Sequence, residues 1–378
     1  MQTITCVEDL REVYKRRVPK MFIDYAESGS YSEQTLRWNR EDLQKIRLKQ
    51  KILTDVSKRD TKTTLAGKQV SVPLVLAPIG LCGMQRANGE ILAARAADEA
   101  GIPFTLSTMS VCSIEDVASE TKKPFWFQLY VMKDREFIRK LIARAAAAKC
   151  SALVLTLDLQ ILAQRHRDIK NGLSVPPKLK IASVVDMLTK PRWLGGILST
   201  KRRSFGNLVG HVKGMTSTGS LGEWTASQFD PALNWEDVKW IRKLWKGKLI
   251  IKGIMEVSDA RLALKHGADG IVVSNHGGRQ LDGAPSSISA LPKIVDAIGD
   301  KTEVLFDGGI RTGQDLMRAL ALGAKGAMIG RAFVYGLGAN GQEGVSTAVE
   351  CIRKELDMSM ALCGVNRISE IDSRVLAD

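Results

Sequence analysis

What most limits how this chain folds is a rhythm. From Val72 onward, short apolar runs recur between amphipathic stretches. The runs are VPLVLAP (72–78), PFTLST (103–108), PFWFQLY (124–130), ALVLTLD (152–158), LIIKG (249–253), GIVVSN (270–275), EVLFDGG (303–309) and GAMIGRA (326–332). They lack strict alternation, which marks strands buried on both faces, as in a parallel sheet. Helical spacing fills the gaps: Asn88–Ala100, Ser113–Glu120, Asp134–Ala148, Trp235–Leu244, Ser258–His266, Ser286–Ile298 and Gly313–Leu322. Eight such units in roughly 260 residues predict an α/β fold, a (β/α)8 TIM barrel. A doubly wound sheet competes with it. That fold needs a G-x-G-x-x-G turn after its first strand, and APIGLCGM does not supply one.

The chain reads as a single domain over residues 1–378: a helical entry over 1–65, the barrel over 66–350 and a C-terminal helical region over 344–378. In the entry, VEDLREVYKRRVPKMFIDYAESG has helical spacing and stops at a glycine. One connection breaks the rhythm. Between the fourth and fifth strands lie roughly 90 residues where a few would serve. This insertion, about 176–222, gathers Lys178, Lys180, Lys190, Arg192, Lys201, Arg202, Arg203 and Lys213 against one acid, Asp186. It supplies half of the chain's formal net charge of +14. Interleaved with apolar residues and Trp193, the stretch over about 178–213 suits a peripheral helix on an anionic membrane surface. A mobile, solvated loop is the competing reading. Nucleic acid is not expected, because the charge is local and no recognition module is visible.

The six cysteines are scattered, with no C-x-x-C pair, so neither a disulfide framework nor a metal site is expected, and the compartment should be reducing. MQTITCVEDLREVYKRR has no apolar core of a signal peptide. The longest uncharged stretch, between Lys68 and Arg86, contains Pro73, Pro78, Gly80 and Gly83 and reads as strand and turn, not as a membrane span.

In a barrel the active site forms at the C-terminal strand ends. There the eight strands deliver, in order, Ala77, Pro78 and Gly80; Ser107 and Thr108; Gln128 and Tyr130; Thr156 and Asp158; Lys252; Ser274, His276 and Arg279; Asp307, Gly308, Gly309 and Arg311; and Gly330 and Arg331. A purely structural barrel has no use for that many charges in one small space, since burying them unpaired is costly. The glycines and arginines of DGGIRTG and GRA sit on the loops that usually form a barrel phosphate site. Ser107, Gln128, Thr156 and Lys252 beside them suit a flat heteroaromatic ring that becomes anionic, a flavin. A Schiff-base role for Lys252 competes with that reading. His276 and Asp158, from different strands, can form a base whose protonated form the carboxylate stabilises. Arg279 can clamp a substrate carboxylate beside them. Gly277 and Gly278 read as the turn between the two side chains.

SNHGGRQLDGAPSS closely resembles the active-site signature of the FMN-dependent L-α-hydroxy-acid dehydrogenases and oxidases. The likeness extends through PKMFIDYAESG, LAPIGLCGM, LSTMS, WFQLYV, TLDLQILAQRHRDIKNG, IIKGI and DGGIRTGQDLMRALALGAKGAMIGRAF, over nearly the whole chain. Within the family, SGSYSE and APIGLCGM look most like bacterial quinone-linked L-lactate dehydrogenases. The resemblance implies FMN as cofactor and oxidation of a small L-2-hydroxy acid. It implies that His276, paired with Asp158, takes a proton from the substrate hydroxyl or α-carbon. Arg279 and Tyr25 would hold the carboxylate, Tyr130 the reacting oxygen, and Arg165 would assist. Lys252 would face the flavin; Ala77, Pro78 and Ile79 would approach it by backbone. Ser107, Gln128, Thr156 and Ser274 would add ring or ribityl contacts. Asp307, Gly308, Gly309, Arg311, Gly330 and Arg331 would complete the ribityl and phosphate site.

Met109 stands where plant-type glycolate oxidases resemble one another in having tryptophan, and Gly80 where they have alanine. Both positions look like the dehydrogenases and imply a quinone, not oxygen, as acceptor. A peripheral site on the cytoplasmic face of the cell membrane and a homo-tetramer follow from the same resemblance. The alternatives are an oxidase making hydrogen peroxide, a mandelate- or glycolate-type dehydrogenase, a lyase using Lys252, and a non-catalytic phosphate-binding barrel.

Overall fold

The computed structural model describes residues 3–173, 180–210 and 227–377. At its centre eight parallel strands form a ring: β1 (Leu74–Leu76), β2 (Thr105–Ser107), β3 (Trp126–Tyr130), β4 (Ala152–Thr156), β5 (Lys248–Ile254), β6 (Gly270–Val273), β7 (Glu303–Asp307) and β8 (Gly326–Ile329). β8 pairs with β1 through Ala327 opposite Leu74, and a parallel bridge from Leu76 to Phe104 closes the ring at the start of β2. Each of the eight apolar runs coincides with one strand, the fifth strand extending one residue beyond its run at either end. Val75, Trp126, Val154, Ile250, Val272, Leu305 and Met328 fill the interior. Leu74, Leu76, Leu153, Leu155, Ile251 and Val273 pack outward under the helices. Both faces are therefore buried, which is why the runs do not alternate. A hairpin, Thr63–Leu65 with Lys68–Val70, sends Leu65 and Val70 into the interior and plugs the N-terminal end.

Several of the helices between strands begin at a capping side chain. Ser113 accepts from Asp116 N before Ile114–Glu120, Asp134 from Phe137 N before Arg135–Ala147, and Thr312 from Asp315 N before Gly313–Ala321.

Two boundaries differ from expectation. The entry is helical over Val7–Arg17, Lys20–Glu27 and Gln34–Lys45, but residues 46–62 run on without regular helix to the hairpin. The last helix does not wait for Gly344. It starts at Arg331, directly after β8, and reaches Leu362 through a kink at Asn340 and Gly341. Four glycines between Gly336 and Gly344 dilute its apolar period in the sequence. Packing against the Val7–Arg17 helix, with Tyr14 against Gly338, stabilises it regardless. Beyond Leu362 the chain ends in 3-10 turns, Ile368–Glu370 and Ser373–Val375.

The described part of the insertion holds two helices, Ile181–Leu188 and Pro191–Ser199. Trp193 is buried, lies tilted against Phe22 with ring centres 5.5 Å apart, and donates from Nε1 to Met84 O at 2.7 Å. Ile181, Val184, Val185, Leu188 and Leu198 face outward. Lys178 and Lys213 lie outside the described residues.

Candidate active site

The C-terminal strand ends converge on one cleft, and its chemistry starts at His276. Asp158, just past β4, accepts a hydrogen bond from His276 Nδ1 on Oδ1 at 2.9 Å. A carboxylate only accepts, so Nδ1 carries the hydrogen and Nε2 is left as the acceptor. Tyr130, at the end of β3, puts its hydroxyl 3.4 Å from that Nε2. Burial pushes the imidazole pKa below its ordinary 6.5, against the opposing pull of Asp158. His276 is therefore neutral near pH 7, as a proton acceptor must be. Burial raises the Tyr130 and Tyr25 hydroxyls, so both stay protonated.

The local backbone serves this placement. His276, Gly277 and Gly278 all have positive φ, +58°, +64° and +75°. A non-glycine residue held there stores strain, a common mark of functional sites. A side chain at Gly278 would strike the backbone of Leu36 at 2.6 Å, and its carbonyl accepts from Ser30 N at 3.0 Å. The turn thus docks on the entry segment. Gly253, in β5 with φ +103°, leaves room for Asp158, whose Cβ and Cγ would lie 2.8 Å from an added Cβ.

Across from the base stands a group of largely buried cations. Arg279 lies with its guanidinium carbon 4.9 Å from the Tyr25 ring centre and donates to the carbonyls of Tyr25 and Ser28. Arg165 donates to Arg279 O at 3.4 Å and pairs with Asp168 at 3.7 Å. Burial, then the nearby Arg279, brings the Arg165 pKa down to about 10. Burial, then Arg279 and Arg311, brings Arg331 to about 9. Cations so crowded and desolvated favour anions in the cleft between them.

The other half of the cleft suits a flavin. Lys252 Nζ lies 2.7 Å from Asp307 Oδ2 and donates to Ser274 Oγ at 2.9 Å, while Ser274 donates to Asp307 at 2.7 Å. Burial alone would raise the Asp307 carboxyl; Lys252 and Ser274 hold it below its usual value. Ser107 Oγ donates to Gln128 Oε1 at 3.1 Å. Gln128 Nε2 and Thr156 Oγ1, both buried, have no partner within the protein. Such orphans ask for a ligand's hydrogen-bonding edge. The Arg331–Leu362 helix opens on the cleft at Gly330 with no side-chain cap, so its first N–H groups are available to a phosphate. These residues fit FMN.

Of the residues expected from the sequence, Tyr25, Ala77, Pro78, Ile79, Ser107, Tyr130, Thr156, Arg165, Lys252, His276, Arg279, Asp307, Gly308, Gly309, Arg311, Gly330 and Arg331 line this one cleft. Gln128, Asp158 and Ser274 stand behind it, bonded to Ser107, His276 and Lys252. Arg331 spends three donors on the carbonyls of Ala26, Gly277 and Ser28, and Arg311 one on Ile310 O. Sequence reasoning missed the apolar wall: Leu159, Leu162, Phe205 and Phe229. It also missed Asp168, which pairs with Arg165 and accepts from Ser28 Oγ at 3.1 Å.

The chain resembles known proteins over nearly its whole length. The L-lactate dehydrogenase of Haemophilus influenzae strain Rd is 46% identical over 376 residues, covering 99% of this chain and 98% of that protein. That of Caulobacter sp. strain K31 is 46% identical over 375 residues, with the same coverage. The crystal structure of the monotopic membrane protein (S)-mandelate dehydrogenase superposes with a TM-score of 0.95 at 38% identity, over the full length of both chains. A mandelate oxidase crystallised with benzoyl-formic acid gives 0.83 at 33% identity, over 99% of this chain and 98% of that one. The model of the FMN-dependent dehydrogenases matches residues 14–378. The chain belongs to the family of FMN-dependent dehydrogenases that act on hydroxy acids.

Proposed function

We propose that the chain oxidises L-lactate to pyruvate at FMN and passes the electrons to a membrane quinone. The observation that carries this reading is the neutral, Asp158-bound His276 with Tyr130 at its free nitrogen and arginines opposite. When bound, FMN supplies the acceptance of two electrons. Lys252, Ser274 and Asp307, with Ser107, Gln128, Thr156 and the backbone of Ala77, Pro78 and Ile79, would hold its ring and ribityl chain. Gly308, Gly309, Arg311, Gly330 and Arg331 would hold its phosphate.

Arg279, Arg165 and Tyr25 bind the substrate carboxylate and orient the α-carbon. Tyr130 hydrogen-bonds the reacting oxygen. His276 takes a substrate proton on Nε2, and Asp158 stabilises the imidazolium while staying charged. The names of the 46%-identical relatives support lactate as substrate. The test is anaerobic titration of the holoenzyme with a panel of L-2-hydroxy acids, followed by admission of quinone or oxygen. L-Lactate bleaches the flavin at the highest kcat/KM, and quinone restores the colour faster than oxygen. No bleaching with any L-2-hydroxy acid sinks the reading.

The insertion would dock on anionic lipid at the cytoplasmic face of the cell membrane. Its exposed Ile181, Val185, Leu188 and Leu198 among Lys180, Arg192 and Lys201 support this. So does the likeness to a monotopic membrane protein. Among the described residues no helix is long and apolar enough to cross a membrane. A homo-tetramer is the assembly we expect, and light scattering on the purified holoenzyme checks it.

A further inference from the structure

The pocket beside His276 carries more apolar wall than a lactate methyl group requires. Met109, Leu159, Leu162, Phe205 and Phe229 line it. Phe229 stands edge-on to Tyr130, ring centres 6.1 Å apart. Leu162 is partly exposed and its neighbour Ile161 more so, which carries the apolar surface out to the rim. Phe205 comes from the insertion, six residues past the end of the Pro191–Ser199 helix. One segment thus presents Val185, Leu188 and Leu198 to the outside and Phe205 to the cleft. Phe205 is not loosely placed. Two residues on, the fully buried Asn207 accepts from Ile114 N at 2.9 Å. It donates from Nδ2 to Ser107 O at 3.3 Å and Ser110 Oγ at 3.0 Å. The insertion is therefore fastened to the loop after β2, which also bears Met109.

We propose that this wall docks the ring of the quinone acceptor: the quinone enters the substrate's own pocket after the keto acid leaves. Its ring lies against Phe205, Phe229 and Leu162, and one carbonyl oxygen faces His276 Nε2 and Tyr130. The inference rests on the quinone reading above. A quinone is a flat apolar ring with two carbonyl acceptors, so it needs an aromatic wall and a proton donor at one oxygen. The cleft offers both side by side. The redox step balances. The quinone gains two electrons and two protons: the electron pair and one proton return from the reduced cofactor, and the second proton is the one His276 took from the substrate. Both carbonyls become hydroxyls, and His276 is neutral again. Burial weakens the imidazole's hold on that proton, which favours its release. The insertion then serves both the lipid surface and the electron path.

The test uses FMN-loaded enzyme and a short-chain ubiquinone. Titrating the oxidised holoenzyme, read as a flavin difference spectrum, gives a quinone Kd that rises in proportion to added pyruvate. Phe205→Ala and, outside the insertion, Phe229→Ala each raise that Kd about tenfold, the usual effect of truncating a buried aromatic anchor. In anaerobic stopped flow, both variants slow reoxidation by quinone at least about tenfold more than reoxidation by ferricyanide, an acceptor that needs no pocket. Quinone binding and reoxidation that are indifferent to saturating pyruvate overturn the shared pocket while leaving the quinone reading intact. Variants that slow reduction by L-lactate as much as quinone reoxidation also overturn it, because the wall then belongs to the hydroxy acid. A lactate-reduced enzyme that no quinone reoxidises overturns the acceptor reading itself, and this assignment with it.

Discussion

The strand ends and the insertion handle opposite problems. At the barrel mouth, charge is buried and partnered: His276 with Asp158, Lys252 with Asp307 and Ser274, Arg165 with Asp168. On the insertion, apolar side chains are exposed and charge surrounds them: Ile181 is 84% exposed and Leu188 63%. The first arrangement pairs its acids within the protein and leaves its crowded arginines to a small anion. The second leaves apolar area in water, which a soluble surface avoids unless something covers it. Position-specific chemistry should therefore respond steeply to single substitutions at the mouth, while the insertion should respond gradually, residue by residue.

Six substitutions probe that contrast. The largest effect is expected for His276→Gln, which removes the base and its ion pair. Turnover with a soluble dye should fall at least about 10³-fold while FMN stays stoichiometric, as measured by released flavin. Next is Asp158→Asn, for which kcat should fall about 10²-fold, because the imidazolium loses its counter-charge and the tautomer is no longer imposed. The pH profile gives a second readout. A base must be neutral to act, so kcat/KM falls as pH drops through the His276 pKa, which lies below 6.5. Asp158 raises that pKa, so Asp158→Asn should move the acid limb to still lower pH; a limb that moves up contradicts the pairing. Third, Arg279→Lys keeps a charge but loses the fork, and kcat/KM for L-lactate should drop about thirtyfold, mostly in KM. The smallest effects belong to the insertion. Lys180→Gln, Arg192→Gln and Lys201→Gln should each weaken binding to anionic vesicles by about 1 kcal/mol, roughly fivefold, and more weakly at high salt. Turnover with the dye should stay within about twofold; a loss as steep as at Arg279 would erase the contrast.

The same division governs what could be read from the sequence. Barrel strands declare themselves because burial on both faces demands uninterrupted apolar runs, so ALVLTLD and GIVVSN could hardly be anything else. Polar residues at their C-terminal ends, such as Lys252 and Asp307, are conspicuous against that background. Tyr25 was legible only through family resemblance, since nothing in IDY says that the entry segment folds back over the mouth. That contact depends on Gly278 letting Leu36 approach, a tertiary event with no periodic signature. Phe205 and Phe229 were illegible for a related reason. They are ordinary apolar residues in irregular chain, and the anchoring of Asn207 holds the first against the cleft. The C-terminal helix hid its start because glycines at a kink look like a loop until the packing partner is known.

The most direct test of the central claim is a single-turnover reduction. Wild-type and His276→Gln holoenzymes are mixed anaerobically with L-lactate, and the flavin absorbance is followed. The account predicts rapid bleaching of the wild type, slower as pH falls through the lowered His276 pKa, and at least about 10³-fold slower bleaching of a variant that still holds its FMN. Equal bleaching rates in the two proteins would contradict it, and so would a wild-type flavin that L-lactate leaves oxidised.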